Sequence, residues 1–227
     1  PDSLQVESAE PEFEFDGKDL DAAHSVPQTE AHRLIERLMI LTNEQVAELL
    51  ERKKVPTLYR VHEQPDPDAI ESLAKRLAAL EVPAPPLPRH LSPSQAGEFA
   101  IEASKLAARE AERRGHGREA YTSLVLRSLK QAHYSDRNLG HAGLASHAYS
   151  HFTSPIRRYP DLIAHRGLLS ATGAGERAPS AKEVAEAGPH ASERERDASR
   201  IERDADSICA SFLLERELVE RDRLHEV

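Results

Sequence analysis

The sequence predicts an α+β fold, mainly helical, with an N-terminal β-hairpin and short strands. Three observations support it. Polar–apolar alternation of period two marks Glu12–Asp16 near the start. After residue 28, long stretches place apolar residues three and four apart, the spacing of one helix face. Aromatic residues are only 4% and Trp is absent, which argues against an aromatic-rich all-β protein.

Glu12-Phe13-Glu14-Phe15-Asp16 alternates and reads as a strand. Gly17-Lys18-Asp19 is a turn and Leu20–Val26 the returning strand, so the hairpin covers about residues 12–26. A helical body follows over about residues 28–220. Pro27-Gln28-Thr29-Glu30 opens a helix of about 25 residues, with Leu34, Ile35, Leu38, Leu41, Val46, Leu49 and Leu50 on its apolar face. Pro65-Asp66-Pro67 opens the next helix, to about Leu80. Pro83, Pro85, Pro86 and Pro88 make an extended connector. Ser92-Pro93 starts a third helix, which ends near Gly115. A fourth covers about 118–130, before a short strand at Gln131–Tyr134. Gly143–His151 reads as extended and residues 172–179 as a loop. From Ala191 to about Leu218 the chain reads as one charged amphipathic helix.

Hydrophobic residues make up 39% of the 227, enough for a core. No apolar run approaches the ~20 residues of a membrane span, and no signal-peptide pattern is present. Cys209, the single cysteine, cannot form an internal disulfide. It reads as a small core residue beside Ile208 and Phe212, in a cytoplasmic protein. The net charge of −9 argues at first against nucleic acid, but its distribution matters more. Residues 1–30 carry nine acids against Lys18 alone. Residues 126–168 carry Arg127, Lys130, Arg137, Arg157, Arg158 and Arg166 against Asp136 and Asp161. Five histidines (133, 141, 147, 151 and 165) share that window, a local anion site on an acidic protein.

The most informative stretch is His151-Phe-Thr-Ser-Pro-Ile-Arg-Arg-Tyr-Pro-Asp-Leu-Ile-Ala-His-Arg166. Thr153 or Ser154 can cap a helix and Pro155 suits its first turn, which places Arg157 and Arg158 in that turn. A helix N-terminus with arginines is a strong phosphate site. Pro160 then reads as a kink after the first turn.

This stretch resembles the catalytic domain of the ribonuclease II / ribonuclease R (RNB) family. The resemblance extends to Leu-Arg-Ser-Leu-Lys-Gln-Ala-His-Tyr (126–134), Gly-His-Ala-Gly-Leu-Ala (140–145) and Glu-Ala-His-Arg-Leu-Ile-Glu-Arg-Leu-Met-Ile-Leu-Thr-Asn-Glu-Gln-Val-Ala (30–47). Thr-Leu-Tyr-Arg-Val-His-Glu-Gln-Pro (57–65) resembles the family's short strand before a helical insert. The resemblance implies a 3′→5′ processive exoribonuclease that hydrolyses single-stranded RNA to nucleoside monophosphates, with no preference for DNA and no membrane partner. By the same resemblance Arg157 matches the catalytic arginine, which neutralises charge growing on phosphorus; otherwise it pairs with a helix carboxylate. Glu36 matches an acid that can accept a hydrogen bond from a ribose 2′-OH, or else it is a solvated helix residue. Asn43, Tyr134, His141, Ser154 and Arg158 complete the candidate RNA contacts. Asn43, Tyr134 and His141 are equally well read as packed, hydrogen-bonded residues.

The family's chemistry implies Mg²⁺ held by aspartates of the form Asp…Ala-x-Asp-x-Asp-Asp, well before the Leu-Ile-Glu helix. Gly17-Lys18-Asp19-Leu20-Asp21-Ala22 lacks the first and last of these acids, and a hairpin turn explains it better. No metal ligand is therefore assigned in this chain, and no His/Cys set has zinc spacing. The chain reads as the C-terminal portion of an RNB catalytic domain. The aspartate-bearing portion of the same domain is expected as its partner, and flanking RNA-binding domains are expected outside it. The isolated chain is expected to be a poor catalyst. The rival readings are a catalytically inactive RNB-like RNA-binding module and a helical scaffold without an RNA role.

Overall fold

The structure is a computed structural model that describes residue 4 and residues 11–25 and 29–219. In chain order the elements are β1 (Pro11–Asp16), β2 (Asp19–Ser25), α1 (Glu30–Arg52), β3 (Tyr59–Val61), α2 (Pro67–Ala79), α3 (Pro93–Arg114), α4 (Arg118–Arg127) and β4 (His133–Ser135). A 3₁₀ turn (Ala142–Leu144), α5 (Tyr159–Ala171) and α6 (Ala181–Val219) follow. The fold is α+β and mainly helical, as predicted. Its residues divide into two compact units, one over Glu36–Ala191 and one holding the hairpin, the start of α1 and the end of α6. Among the described residues no helix is long and apolar enough to cross a membrane.

In the hairpin unit, β1 and β2 pair antiparallel with a register shift between Glu14 and Phe15. Gly17 takes a φ of 65°, which the tight turn requires and glycine tolerates without a Cβ clash. Arg216 on α6 donates to the Leu20 carbonyl at 2.7 Å and also to the Asp21 carbonyl. The predicted end of the second strand, Val26, lies outside the described residues.

The larger unit has its main core between α2, α3 and α4, where Ile70, Leu73, Leu77, Phe99 and Val125 interlock. Alanines 96, 100, 103, 107 and 111 form a narrow seam on α3 that lets its neighbours approach closely. Ser92 and Gln95 close a reciprocal capping box, Pro93 occupies the first turn, and Gly115 ends the helix with φ 75°. A second layer lies around the β3–β4 pair, in which Arg60 faces Tyr134. Leu58, Tyr134, Ile163 and Val184 pack on one side of it. Ala47, Tyr59, Val61 and Ala148 pack together as a separate cluster.

Several elements depart from the sequence reading. The fourth helix ends at Arg127, with Ser128 as its C-cap. The stretch from Gly143 is not extended: it continues the 3₁₀ turn, and Ser146 then bridges His141. No helix opens at Thr153; α5 begins at Tyr159, with Arg158 as its N-cap. Pro160 therefore starts this helix rather than kinking it, because the first turn needs no N–H from it. α6 begins at Ala181, ten residues earlier than predicted, and carries Pro189 inside it. Ser180 and Glu183 cap each other there, Glu183 accepting from the Ser180 N–H at 2.7 Å. Gly188 allows close approach, since a Cβ there would lie 3.1 Å from the Tyr134 carbonyl oxygen. Val46 and Leu50 of α1 are buried, but Leu34, Ile35, Leu38 and Leu41 are exposed. Cys209 is half-buried and its neighbours Ile208 and Phe212 are exposed, so it is not a core residue.

Candidate nucleic-acid interface

The run from Ala148 to Arg158 crosses the β3–β4 layer and leads into α5. Its path is set by hydrogen bonds to distant residues. The Arg60 N–H donates to the Tyr149 carbonyl at 2.8 Å, which anchors the run against β3. Asn43 on α1, only 3% exposed, serves it twice. Its Nδ2 donates to the Tyr149 hydroxyl at 2.9 Å, and its Oδ1 accepts the Phe152 N–H at 3.1 Å. The Phe152 ring stacks on His165 with centroids 3.9 Å apart. The His165 Nε2 donates to the Phe152 carbonyl at 2.9 Å.

Beyond Phe152 the chain turns through Ser154-Pro155-Ile156-Arg157-Arg158. The Ser154 carbonyl accepts from the N–H groups of Arg157 and Arg158, at 3.3 and 3.1 Å. The Arg158 fork closes on Asp161, Nε to Oδ2 at 2.8 Å and Nη2 to Oδ1 at 2.7 Å. Ile156, Arg157 and Tyr159 project into solvent. The Arg157 guanidinium has no hydrogen-bond or ion-pair partner among the described residues. The two arginines that look equivalent in the sequence are thus divided: one is committed inside the fold and one is presented outside it.

Beneath the loop lies a chain of rings. His62 meets His141 edge-on at 5.2 Å, His141 meets Tyr149 at 5.3 Å, Tyr149 meets His151 at 5.9 Å, and His151 meets Tyr134 at 5.6 Å. The Tyr134 hydroxyl lies 2.8 Å from His151 Nδ1, and the Arg60 guanidinium sits 4.8 Å over the Tyr134 ring. Burial pushes His141 down to about 3, reinforced by His62 and Arg60. Burial likewise takes His151 to about 3, with Arg158 and Arg60 adding repulsion. Burial also lowers His62. These rings are therefore neutral at pH 7, and they add no positive charge to the anion site that the histidine-rich sequence window suggested.

Of the predicted site residues, the structure brings Asn43, Tyr134, His141, Ser154, Arg157 and Arg158 to one region. Asn43, Tyr134 and His141 pack beneath the loop, where Asn43 and Tyr134 are buried with their polar groups hydrogen-bonded. His141 is enclosed between the His62 and Tyr149 rings. Arg158 is paired inside the fold with Asp161. Glu36 is exposed on α1, seven residues before Asn43. Seven residues make nearly two full turns, so Glu36 shares the Asn43 face about 10 Å further along the axis. Sequence reasoning missed Asp161, Tyr149 and His165 as parts of this site. The signal for Asp161 was its place three residues after Arg158, in the first turn after a proline.

Among the described residues no three His, Cys, Asp or Glu side chains gather as a metal site requires. These acids do not fit Mg²⁺, which takes clustered oxygen ligands. A cleft of about 260 Å³ is lined by Glu51, Lys54, Thr57, Tyr59 and Asp136, among others, and includes none of the predicted site residues.

The RNB domain matches residues 2–173. Ribonuclease R of Escherichia coli (strain K12) is 35% identical over 93% of this chain and 26% of that protein. Ribonuclease R of Thermotoga maritima is 43% identical over 61% of this chain and 18% of that protein. The solved structure of Mycoplasma genitalium RNase R in complex with ribose methylated single-stranded RNA superposes with a TM-score of 0.79 at 27% identity. That match covers 95% of this chain and 33% of the other. The chain thus spans about a quarter to a third of the length of the E. coli and M. genitalium relatives. A match to the RNB domain over most of its length places the chain in the RNB-domain family.

Proposed function

We propose that this chain is the portion of a 3′→5′ processive exoribonuclease that grips the RNA backbone while single-stranded RNA is hydrolysed to nucleoside monophosphates in the cytoplasm. The observation that carries this reading is Arg157: an exposed guanidinium without an internal partner, on a turn tied down on both sides. A fork held in this way can bind two phosphate oxygens and oppose the charge that develops as the phosphodiester is attacked. Ser154 supplies the turn's acceptor carbonyl and is read as a further contact to the RNA. Glu36, exposed on the helix that anchors the loop through Asn43, is read as the acceptor of a hydrogen bond from a ribose 2′-OH. The reading takes RNA as substrate on the strength of the M. genitalium enzyme solved with single-stranded RNA. It takes Mg²⁺ as cofactor, with ligands from the remaining part of the same catalytic domain.

The test is Arg157→Ala in the full-length protein, followed on end-labelled single-stranded RNA. Turnover is expected to fall on the order of 10²-fold or more. Arg157→Lys is expected to recover little, because an ammonium does not reproduce the bidentate fork. Near-normal turnover in Arg157→Ala would remove this arginine from the mechanism.

A further inference from the structure

Asp161 is fully buried, yet it carries a charge beside the most exposed segment of the site. It stands in the first turn of α5, where the helix N-terminus favours a carboxylate. Its oxygens turn back over the helix start. Oδ1 accepts the Ser154 N–H at 2.8 Å and the Arg158 Nη2 at 2.7 Å, while Oδ2 accepts the Arg158 Nε at 2.8 Å. Ser154 and Arg158 are the two ends of the turn from which Arg157 projects. One buried carboxylate therefore holds both ends, and the Ser154 carbonyl closes the turn between them. A charge-assisted bidentate pair is the strongest common way to fix such a geometry.

We infer that Asp161 is a positioning residue for Arg157: by binding the Ser154 amide and the Arg158 fork together, it fixes the turn that aims the Arg157 guanidinium at phosphate. Arg158 belongs to this brace and is not a second phosphate ligand. The inference rests on the reading of Arg157 given above. It follows from how steeply an oriented contact depends on placement, since misplacement by about 1 Å can reduce rate about 10²-fold. Asp161→Asn keeps the side chain's size but removes the charge and turns an amide donor toward donors. The brace is then loosened without leaving a cavity.

The experiment is a double-mutant cycle in the full-length protein. kcat and KM on single-stranded RNA are measured for Asp161→Asn, Arg157→Ala and the pair, together with amide hydrogen exchange. Asp161→Asn is expected to lower kcat about tenfold or more with a smaller change in KM. It should also speed exchange over Ser154–Arg158 while the α2–α3–α4 core stays protected. In the Arg157→Ala background it should cost no further kcat, because it acts through Arg157. A full additional loss in that background would overturn the inference. So would unchanged exchange over Ser154–Arg158 in Asp161→Asn when Arg157→Ala alone is impaired; that result removes the brace and leaves the Arg157 reading standing. Normal kcat in Arg157→Ala would instead overturn the functional reading and this role with it. If Asp161→Asn does not fold, Arg158→Lys enters the same cycle, since it keeps the charge but loses the fork, and the same outcomes apply.

Discussion

Asn43 and Glu36 show how one helix face divides its work between residues. Asn43 is enclosed, and both ends of its amide are used on the run that leads to Arg157. Glu36, nearly two turns earlier on the same face, is exposed. A carboxylate there can accept a 2′-OH that DNA lacks, and a hydrogen bond to a charged group contributes roughly 1.5–3 kcal/mol. Glu36→Ala in the full-length protein should therefore narrow the ratio of RNA to DNA cleavage about tenfold or more, with helicity by circular dichroism unchanged. An unaltered ratio on matched oligonucleotides would leave Glu36 a solvated helix residue. The identity of both residues was legible in the Glu30–Ala47 run, but their division was not. Whether an amide is buried depends on Phe152, 109 residues away.

At the scale of elements, helix starts were the most readable features where their caps are local. Ser92-Pro93 announces α3, and the structure begins it there with a capping box. The start of α6 carries the same type of signal in Ser180 and Glu183, but Gly188 and Pro189 obscured it. An interior proline removes one backbone hydrogen bond, which is tolerated when packing compensates. Here Val184 packs with Leu58, Tyr134 and Ile163, with Ala187 and Ala191 against them. Ser180→Ala should consequently destabilise the protein by about 1 kcal/mol, read as a lower midpoint in urea unfolding at constant slope. An unchanged midpoint would mean that residues 181–190 do not depend on this cap. The α5 start was misread for a different reason. Thr153-Ser154-Pro155 satisfies the local capping rules, whereas Arg158-Tyr159-Pro160 offers only a first-turn proline, and Asp161 reaches back to Ser154 across the second start.

Across the whole molecule, the neutral ring chain under the loop ties stability to pH. His141 and His151 are each held near 3 by burial, against about 6.5 in an unfolded chain. Below pH 6.5 the unfolded state takes up protons that the folded state refuses, so stability falls as pH falls, until about pH 3. By pH 5 the loss is on the order of 2 kcal/mol for each histidine. Urea unfolding at pH 7 and pH 5 should show this drop, and His151→Gln should reduce it by about half. Equal stability of the natural protein at the two pH values would mean that these rings are already protonated or open to water. The first segment to yield should be the 148–158 run, since Tyr149 and His151 belong to it.

The amino-acid sequence alone was sufficient for the hairpin, for α1 to α4 within a few residues, and for the motif that marks the family. These are local patterns: alternation, helical periodicity, caps and a contiguous run of residues that needs no partner to be recognised. Tertiary structure alone decided which of two adjacent arginines faces solvent, which acid holds the other, and which histidines are neutral. Each of those outcomes depends on what is buried next to what. Burial brings together Asn43, Arg60, Tyr134 and the 148–161 run from separate parts of the chain. Asp161 takes Arg158 because its carboxylate, buried in the first turn of α5, requires a full set of donors. Arg157, one residue earlier on the turn, is left exposed to solvent.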